Sequence, residues 1–175
     1  MSNKTNKVNT CEVCGNNNLS LVLNLGDHPM CDDLISLNEE RICNEYPIEI
    51  LFCNNCITAH QKYQVPKKEL FPDSYHYRSR FTSDVLKGME NLVDATINRF
   101  NQVESKTVLD IGCNDGSLLD FFKKSGAKTI GIEPTNAYKD AAKKGHITYH
   151  NFVSKQIANL IASEHGKPDF LTFTN

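Results

Sequence analysis

No apolar run in this 175-residue chain approaches the roughly 20 residues that a membrane-spanning helix needs. Basic residues are not in excess either. Nineteen Lys and Arg face 21 Asp and Glu, for a net charge of −2, and the isoelectric point is near 6.3. A surface built for nucleic acid or for an anionic membrane is therefore not expected. The segment Met1–Thr10 is polar and lacks the apolar stretch of a secretory signal, so the expected location is the cytoplasm. Disulfides are rare there, and the seven cysteines read as metal ligands or reduced thiols. Internal repeats and low-complexity tracts are also absent.

What is present changes character along the chain. Residues 1–10 are rich in Asn, Lys and Thr and read as a flexible tail. Residues 11–60 hold six of the seven cysteines, with short strand candidates at Leu19–Leu25 and Ile48–Phe52. So little apolar content calls for a staple. Residues 61–80 read as a linker that carries a tyrosine-rich stretch, Ser74-Tyr75-His76-Tyr77-Arg78-Ser79. From Thr82 to about Phe100, apolar residues recur at three-to-four spacing (Val85, Met89, Leu92, Val93, Ile97 and Phe100), which predicts an amphipathic helix with Thr82 as its N-cap. Strands and helices then alternate. Strands are predicted at Thr107–Ile111, Lys128–Ile132, Ile147–Tyr149 and Phe170–Phe173, with helices at Gly116–Lys124, Asn136–Lys144 and Ser154–Ser163. That alternation predicts a parallel α/β sheet with right-handed crossovers.

Cys11-Glu-Val-Cys14 and Cys53-Asn-Asn-Cys56 form two CxxC pairs separated by 38 residues. Each turn lets two thiolates converge, and two turns supply the four sulfurs of a tetrahedral structural zinc site. Redox-active CxxC pairs are the competing reading, but one pair near a strand-to-helix junction would serve that purpose. With four sulfurs bound, the metal has no open position at which to activate water. Cys31 and Cys43 lack a CxxC partner and read as small buried hydrophobes. Cys113 reads as a packing residue. His28 and His60 read as surface or locally hydrogen-bonded residues.

The strand Thr107–Ile111 runs into Gly112-Cys113-Asn114-Asp115-Gly116. A strand entering a glycine turn and then a helix brings bare backbone close to a ligand. The dinucleotide fingerprint G-x-G-x-x-G fails at Asn114 and at Ser117. Asn114 can stand in for a glycine because asparagine tolerates the left-handed conformation. Glu133, 21 residues after Gly112, ends the next strand, where a carboxylate accepts hydrogen bonds from the ribose hydroxyls of an adenosine ligand. Asp110 is expected to face the ligand from the end of the first strand.

Taken with Leu-Gly-Asp-x-Pro at 25–29, Tyr46-Pro47, Tyr-x-Tyr-x-Ser at 75–79 and Gly131-Ile132-Glu133-Pro134, these motifs resemble the zinc-containing C-methyltransferases that use S-adenosylmethionine (SAM) and act on nucleotide-linked deoxysugars. The resemblance implies a small zinc-binding module followed by a Rossmann-like class I methyltransferase domain. Cys11, Cys14, Cys53 and Cys56 would hold zinc. Asp110, Gly112, Asn114, Gly116 and Glu133 would line the SAM site, and Tyr75 or Tyr77 would reach the sugar. The substrate would be a nucleotide-linked 4-keto sugar, deprotonated beside its ketone, with a phenol stabilising the enolate oxygen. The family's histidine base lies in a Tyr-His-Glu-His-like motif that has no match here, and His165 does not fit it. Residues 81–175 are accordingly read as the first half of the domain, expected not to turn over alone, with the remainder possible on a separate chain. A non-catalytic zinc module, or a methyltransferase for another small molecule or a protein, are the alternatives.

Overall fold

Alternating side chains at Leu19, Leu21, Leu23 and Leu25 set a period of two, and the chain answers with strands. The computed structural model describes residues 5–174, and it divides between Leu70 and Phe71 into two units. The first contains β1 (Asn6–Lys7), β2 (Leu19–Pro29), β3 (Glu45–Cys53), β4 (Thr58–Gln61), β5 (Tyr63–Gln64) and a single helical turn, α1 (Lys67–Leu70). Strands β2, β3 and β4 form an antiparallel sheet in that order, and β1 pairs with β5. Both longer strands outrun their apolar cores. The β2–β3 ladder continues through Asp27↔Pro47 to Pro29↔Glu45, past two register shifts.

Several expectations change here. Residues 1–4 lie outside the described residues, but the tail is anchored further on: Asn6 and Lys7 are in a strand, and Val8 is buried and donates its N–H to the Lys62 carbonyl. Residues 61–80, read as a linker, hold short local structure. They contain β5, α1 and the start of a 3-10 turn at Ser79–Phe81. Cys31 is exposed and Cys43 half-buried. Neither is buried as a core residue, and among the described residues no helix or strand lies between β2 and β3.

The second unit follows the alternating pattern. Its elements are α2 (Ser83–Phe100), β6 (Thr107–Ile111), α3 (Ser117–Lys124), β7 (Lys128–Ile132), α4 (Tyr138–Lys143), β8 (Ile147–Tyr149), α5 (Lys155–His165) and β9 (Phe170–Thr172). The sheet is parallel in the order β8-β7-β6-β9. Thr82 precedes α2 with extended backbone but makes no side-chain cap bond, and Asn101 ends the helix in the left-handed region. The buried stripe of α2 is narrower than the sequence suggests: Val93 is buried and Met89 and Ile97 pack beside it, while Leu92 and Phe100 are largely exposed. Val93, Val103, Val108, Leu118, Leu119 and Phe122 form one core cluster. Leu109, Ile130, Ile132 and Ile161 form the second. Within β6, Val108 belongs to one cluster and Leu109 to the other, as alternate faces of a strand require. The sheet is thus covered on both faces, as parallel sheets are.

Cys113 has the packing role its size suggests. A Cβ on Gly131 would meet the Cys113 Sγ at 2.4 Å and its Cβ at 2.9 Å. Gly131→Ala is therefore expected to destabilise the second unit by about 1–3 kcal/mol through overpacking, with part of the loss recovered when it is combined with Cys113→Ala. Urea unfolding of the three variants measures this, and a neutral Gly131→Ala would contradict the packing.

Candidate metal centre and cofactor loop

The four cysteines of the two CxxC pairs converge. Their sulfurs all lie within 4.8 Å of one another. Cys11 and Cys56 approach to 3.4 Å, and Cys14 and Cys53 to 3.6 Å. Metal–sulfur bonds of about 2.3 Å place the corners of a tetrahedron ~3.8 Å apart, so the arrangement fits a tetrahedral dication. Backbone geometry makes the convergence possible. Gly15 donates to the Cys11 carbonyl and Ile57 donates to the Cys53 carbonyl, each at 2.8 Å. Both turn residues sit in the left-handed region, Gly15 at φ 73° and Ile57 at φ 57°. Glycine occupies that region at no steric cost, whereas a β-branched isoleucine is strained there.

Every sulfur also has a polar side chain beside it. His60 Nε2 is 3.2 Å from Cys11 Sγ, Asn55 Nδ2 donates to Cys14 at 3.3 Å, Asn16 Nδ2 donates to Cys53 at 3.5 Å, and Thr58 Oγ1 pairs with Cys56 at 3.2 Å. The Asn55 amide holds Cys14 below the usual thiol range. Burial opposes ionisation of Cys53, yet the Asn16 amide and the backbone N–H groups of Cys56 and Asn55 outweigh it and bring it to about 6. For Cys56 the Thr58 contact favours the thiolate, but burial and the three neighbouring sulfurs push it up to about 12. Gathering four thiolates needs a cation, and a dication answers that need. His60 is a buried partner of this cluster, not a surface residue. Sequence reasoning missed it, and missed Asn16, Asn55 and Thr58, because each contact depends on the fold. His28 is exposed, and its Nε2 pairs with the Leu25 carbonyl.

In the second unit the candidate site is the turn after β6. The N–H groups of Gly112 and Cys113 both reach the Ile132 carbonyl, at 2.8 and 3.1 Å. Gly112, Asn114 and Gly116 have φ of 76°, 50° and 76°. A Cβ on Gly112 would meet nothing within 4 Å, so this backbone borders open space. Gly116 is the opposite case: a Cβ there would meet His146 Cδ2 at 2.8 Å and Ala141 Cβ at 2.9 Å. Glycine at 116 thus lets α4 and the start of β8 pack close.

Glu133 is buried and turned onto this loop. Its Oε2 accepts the Asn114 N–H at 2.9 Å. Its Oε1 accepts the Thr135 N–H at 2.8 Å and the Thr135 hydroxyl at 2.6 Å. A carboxylate offers about four acceptor positions, so one remains on Oε2. Asp110 is buried, and its Oδ1 accepts the Thr172 hydroxyl at 2.7 Å. Burial, with the charge of Glu133 adding and the Thr172 bond opposing, pushes its carboxyl up to about 7.

The tyrosine-rich segment belongs to this unit. Phe71 and Tyr75 meet edge to face at 5.6 Å. Tyr75, His76, Arg78, Arg80, Asn136 and Asp140 are among the residues that line an open cleft of about 370 Å³. Tyr77 enters through its carbonyl, which accepts Asn114 Nδ2 at 3.2 Å. Asp140 accepts Arg78 Nε at 2.9 Å and an Arg80 nitrogen at 3.0 Å. His150 stacks on Tyr138 with ring centres 4.2 Å apart, and His165 pairs with the Tyr149 hydroxyl at 2.8 Å.

Comparison with known proteins agrees with this division. The family described as "Putative zinc binding domain" matches residues 11–71, and the family described as "Methyltransferase domain" matches residues 85–175. The chain belongs to the methyltransferase domain family, and its four-cysteine cluster lies within the residues that match the zinc-binding family. It is 24% identical over 162 residues to C-methyltransferase NovU of Streptomyces niveus, a match covering 91% of this chain and 38% of that protein. It is also 31% identical over 87 residues to an uncharacterized RNA methyltransferase of Clostridium acetobutylicum, covering 47% of this chain and 19% of that protein. The chain therefore spans well under half the length of both relatives. Among the described residues no helix is long and apolar enough to cross a membrane.

Two outcomes are expected from this geometry. The purified chain should carry about one zinc ion, and Cys53→Ser should release it and unfold the first unit, because the binding energy of a structural site is folding energy. Metal analysis with circular dichroism measures both, and an intact chain without zinc would contradict the assignment. The second outcome concerns pH. An aspartate in an unfolded chain titrates near ~3.9, below the value of about 7 that Asp110 takes in the fold. The folded state therefore holds the proton between these limits. The associated stability is complete below the unfolded value and is lost as pH rises through the folded one. Asp110→Asn removes this titration, so its stability relative to the parent chain should grow by roughly 2–3 kcal/mol between about pH 5 and about pH 8. A difference that stays flat in urea unfolding would contradict it.

Proposed function

We propose that the second unit binds SAM at the Gly112–Gly116 turn and that the protein takes part in C-methylation of a nucleotide-linked 4-keto deoxysugar. The observation that carries the reading is the pairing of the open, left-handed backbone at Gly112 with a buried carboxylate, Glu133, at the end of the adjacent strand, inside a methyltransferase domain. The residues fit the ligand. The backbone at Gly112 allows close approach, and Glu133 keeps one acceptor position, on Oε2, for a ribose hydroxyl. Asn114 and Gly116 shape the turn, while Asp110 lies at the strand end as a carboxyl held close to neutrality. When bound, SAM supplies the methyl group as an electrophile.

The acceptor reading has separate support. NovU, which shares 24% identity, is named a C-methyltransferase, and the motifs of this chain resemble the sugar-acting group. The open cleft beside Tyr75 is large enough for part of a sugar nucleotide, and Tyr75 brings a phenol to it. Tyr75 is thus the favoured acceptor-side residue, with Tyr77 adjacent. Zinc at the four-cysteine cluster has a structural role in this proposal, since four thiolates fill its coordination and it supports the fold of its own unit.

Calorimetry with SAM tests the donor reading. Glu133→Ala should weaken binding about tenfold or more, since hydrogen bonds to charged groups contribute about 1.5–3 kcal/mol. Gly112→Val should weaken it further, because φ at 112 is 76° and valine there is both strained and turned toward the open space. Unchanged affinity in both folded variants would reduce the loop to an ordinary turn. The acceptor reading is tested by adding a panel of 4-keto nucleotide sugars to the SAM-loaded chain. A heat of binding for these and not for 4-hydroxy analogues is the expected result, and equal silence for both would count against the sugar.

A further inference from the structure

Asn114 has the backbone conformation of a glycine, with φ at 50°, yet its side chain makes three hydrogen bonds. Its Oδ1 accepts the Ser79 N–H at 3.1 Å and the Asp115 N–H at 2.9 Å. Its Nδ2 donates to the Tyr77 carbonyl at 3.2 Å. The next residue continues the pattern. Asp115 is completely buried, and its Oδ2 accepts the Arg80 N–H at 3.3 Å and an Arg80 guanidinium nitrogen at 3.1 Å. Its Oδ1 accepts the Ser117 N–H and hydroxyl at the start of α3. Four hydrogen bonds thus tie residues 77–80 to the cofactor loop, all from two adjacent side chains. Ser79 is buried beneath them, and the segment they hold supplies Arg78 and Arg80 to the wall of the cleft.

We infer that Asn114 and Asp115 are positioning residues that fasten the tyrosine segment to the donor loop, so that the acceptor cleft is shaped by the same turn that holds the methyl donor. This rests on reading the Gly112–Gly116 turn as the SAM site. It also explains why the turn reads Gly-Cys-Asn-Asp-Gly. A glycine at 114 would satisfy the backbone at no steric cost, but it would leave the Ser79 N–H and the Tyr77 carbonyl without these partners.

The substitution Asn114→Gly keeps the left-handed turn and removes the Asn114 half of the bracket, the bonds to Tyr77 and Ser79, together with the side-chain bond to the Asp115 N–H. Amide hydrogen exchange of the full chain is the readout. In Asn114→Gly, exchange at Ser79 should accelerate at least tenfold while the amides of β7 keep their protection. Asn114→Asp, which retains an acceptor for Ser79, should restore most of the protection there. Adding SAM to the parent chain should slow exchange at Ser79 and Arg80 as well as in the loop, and this transmitted protection should vanish in Asn114→Gly. Ser79 protection within twofold of the parent in Asn114→Gly would overturn the inference. So would SAM protecting residues 112–116 of the parent chain while leaving Ser79 and Arg80 unchanged. A parent chain that shows the bracket by exchange but binds no SAM would uphold the fastening and overturn the donor reading on which its purpose rests.

Discussion

One carbonyl organises the second unit. The Ile132 oxygen, at the end of β7, accepts the N–H groups of both Gly112 and Cys113 as the chain leaves β6. Two donors on one oxygen force the backbone to reverse within a few residues, and the left-handed conformations at Gly112, Asn114 and Gly116 are how it does so. The neighbouring contacts follow from that reversal. Cys113 drops beneath the turn against Gly131. The Asn114 N–H points at Glu133, and Asp115 reaches forward to Ser117 to begin α3. At Gly116 the bare Cα lets α4 and the start of β8 close in. The result is a loop with exposed backbone on one side and packed side chains on the other, which is what a nucleoside site requires.

The first unit meets a different constraint. Its buried apolar side chains among the described residues are Val8, Cys11, Tyr46, Leu51 and Cys53. Two of those five are members of the sulfur cluster, and Leu21, Val22, Leu23 and Leu25 of β2 are largely exposed. So small a core does not supply much stability by burial alone. The convergence of Cys11, Cys14, Cys53 and Cys56, each with a polar partner, fits a unit whose folding energy comes largely from a bound ion. The partners matter electrically: His60, Asn16, Asn55 and Thr58 surround sulfurs that would otherwise crowd negative charge into a small volume.

Much of this is legible in the sequence, for identifiable reasons. Short apolar runs between turn formers mark the three strands at 107–111, 128–132 and 147–149, and the strands occur with those bounds. The central ones are buried on both faces, so local sequence and tertiary demand coincide. The CxxC pairs are readable because the spacing itself encodes the turn. The misses have the opposite origin. The outer half of β2, from Gly26 to Pro29, is held by a ladder to Tyr46 and Pro47, and local composition does not encode such a distant partner. Cys31 and Cys43 resemble core residues by type, but they lie in the irregular segment between β2 and β3 and are exposed and half-buried. His60 is buried beside Cys11, 49 residues away. The role of Asn114 is half visible: residue type suggests its backbone conformation, but its bonds to Tyr77 and Ser79 span 37 and 35 residues.

The claim that the Gly112–Gly116 turn and Glu133 form a methyl-donor site is tested most directly by nuclear magnetic resonance. The zinc-loaded, nitrogen-15-labelled chain is titrated with SAM while its backbone amides are followed. Saturable shifts should centre on residues 112–116 and 133–135, with the amides of β2 to β4 in the first unit unmoved. No saturable shift, or shifts confined to residues away from the turn, would contradict the assignment.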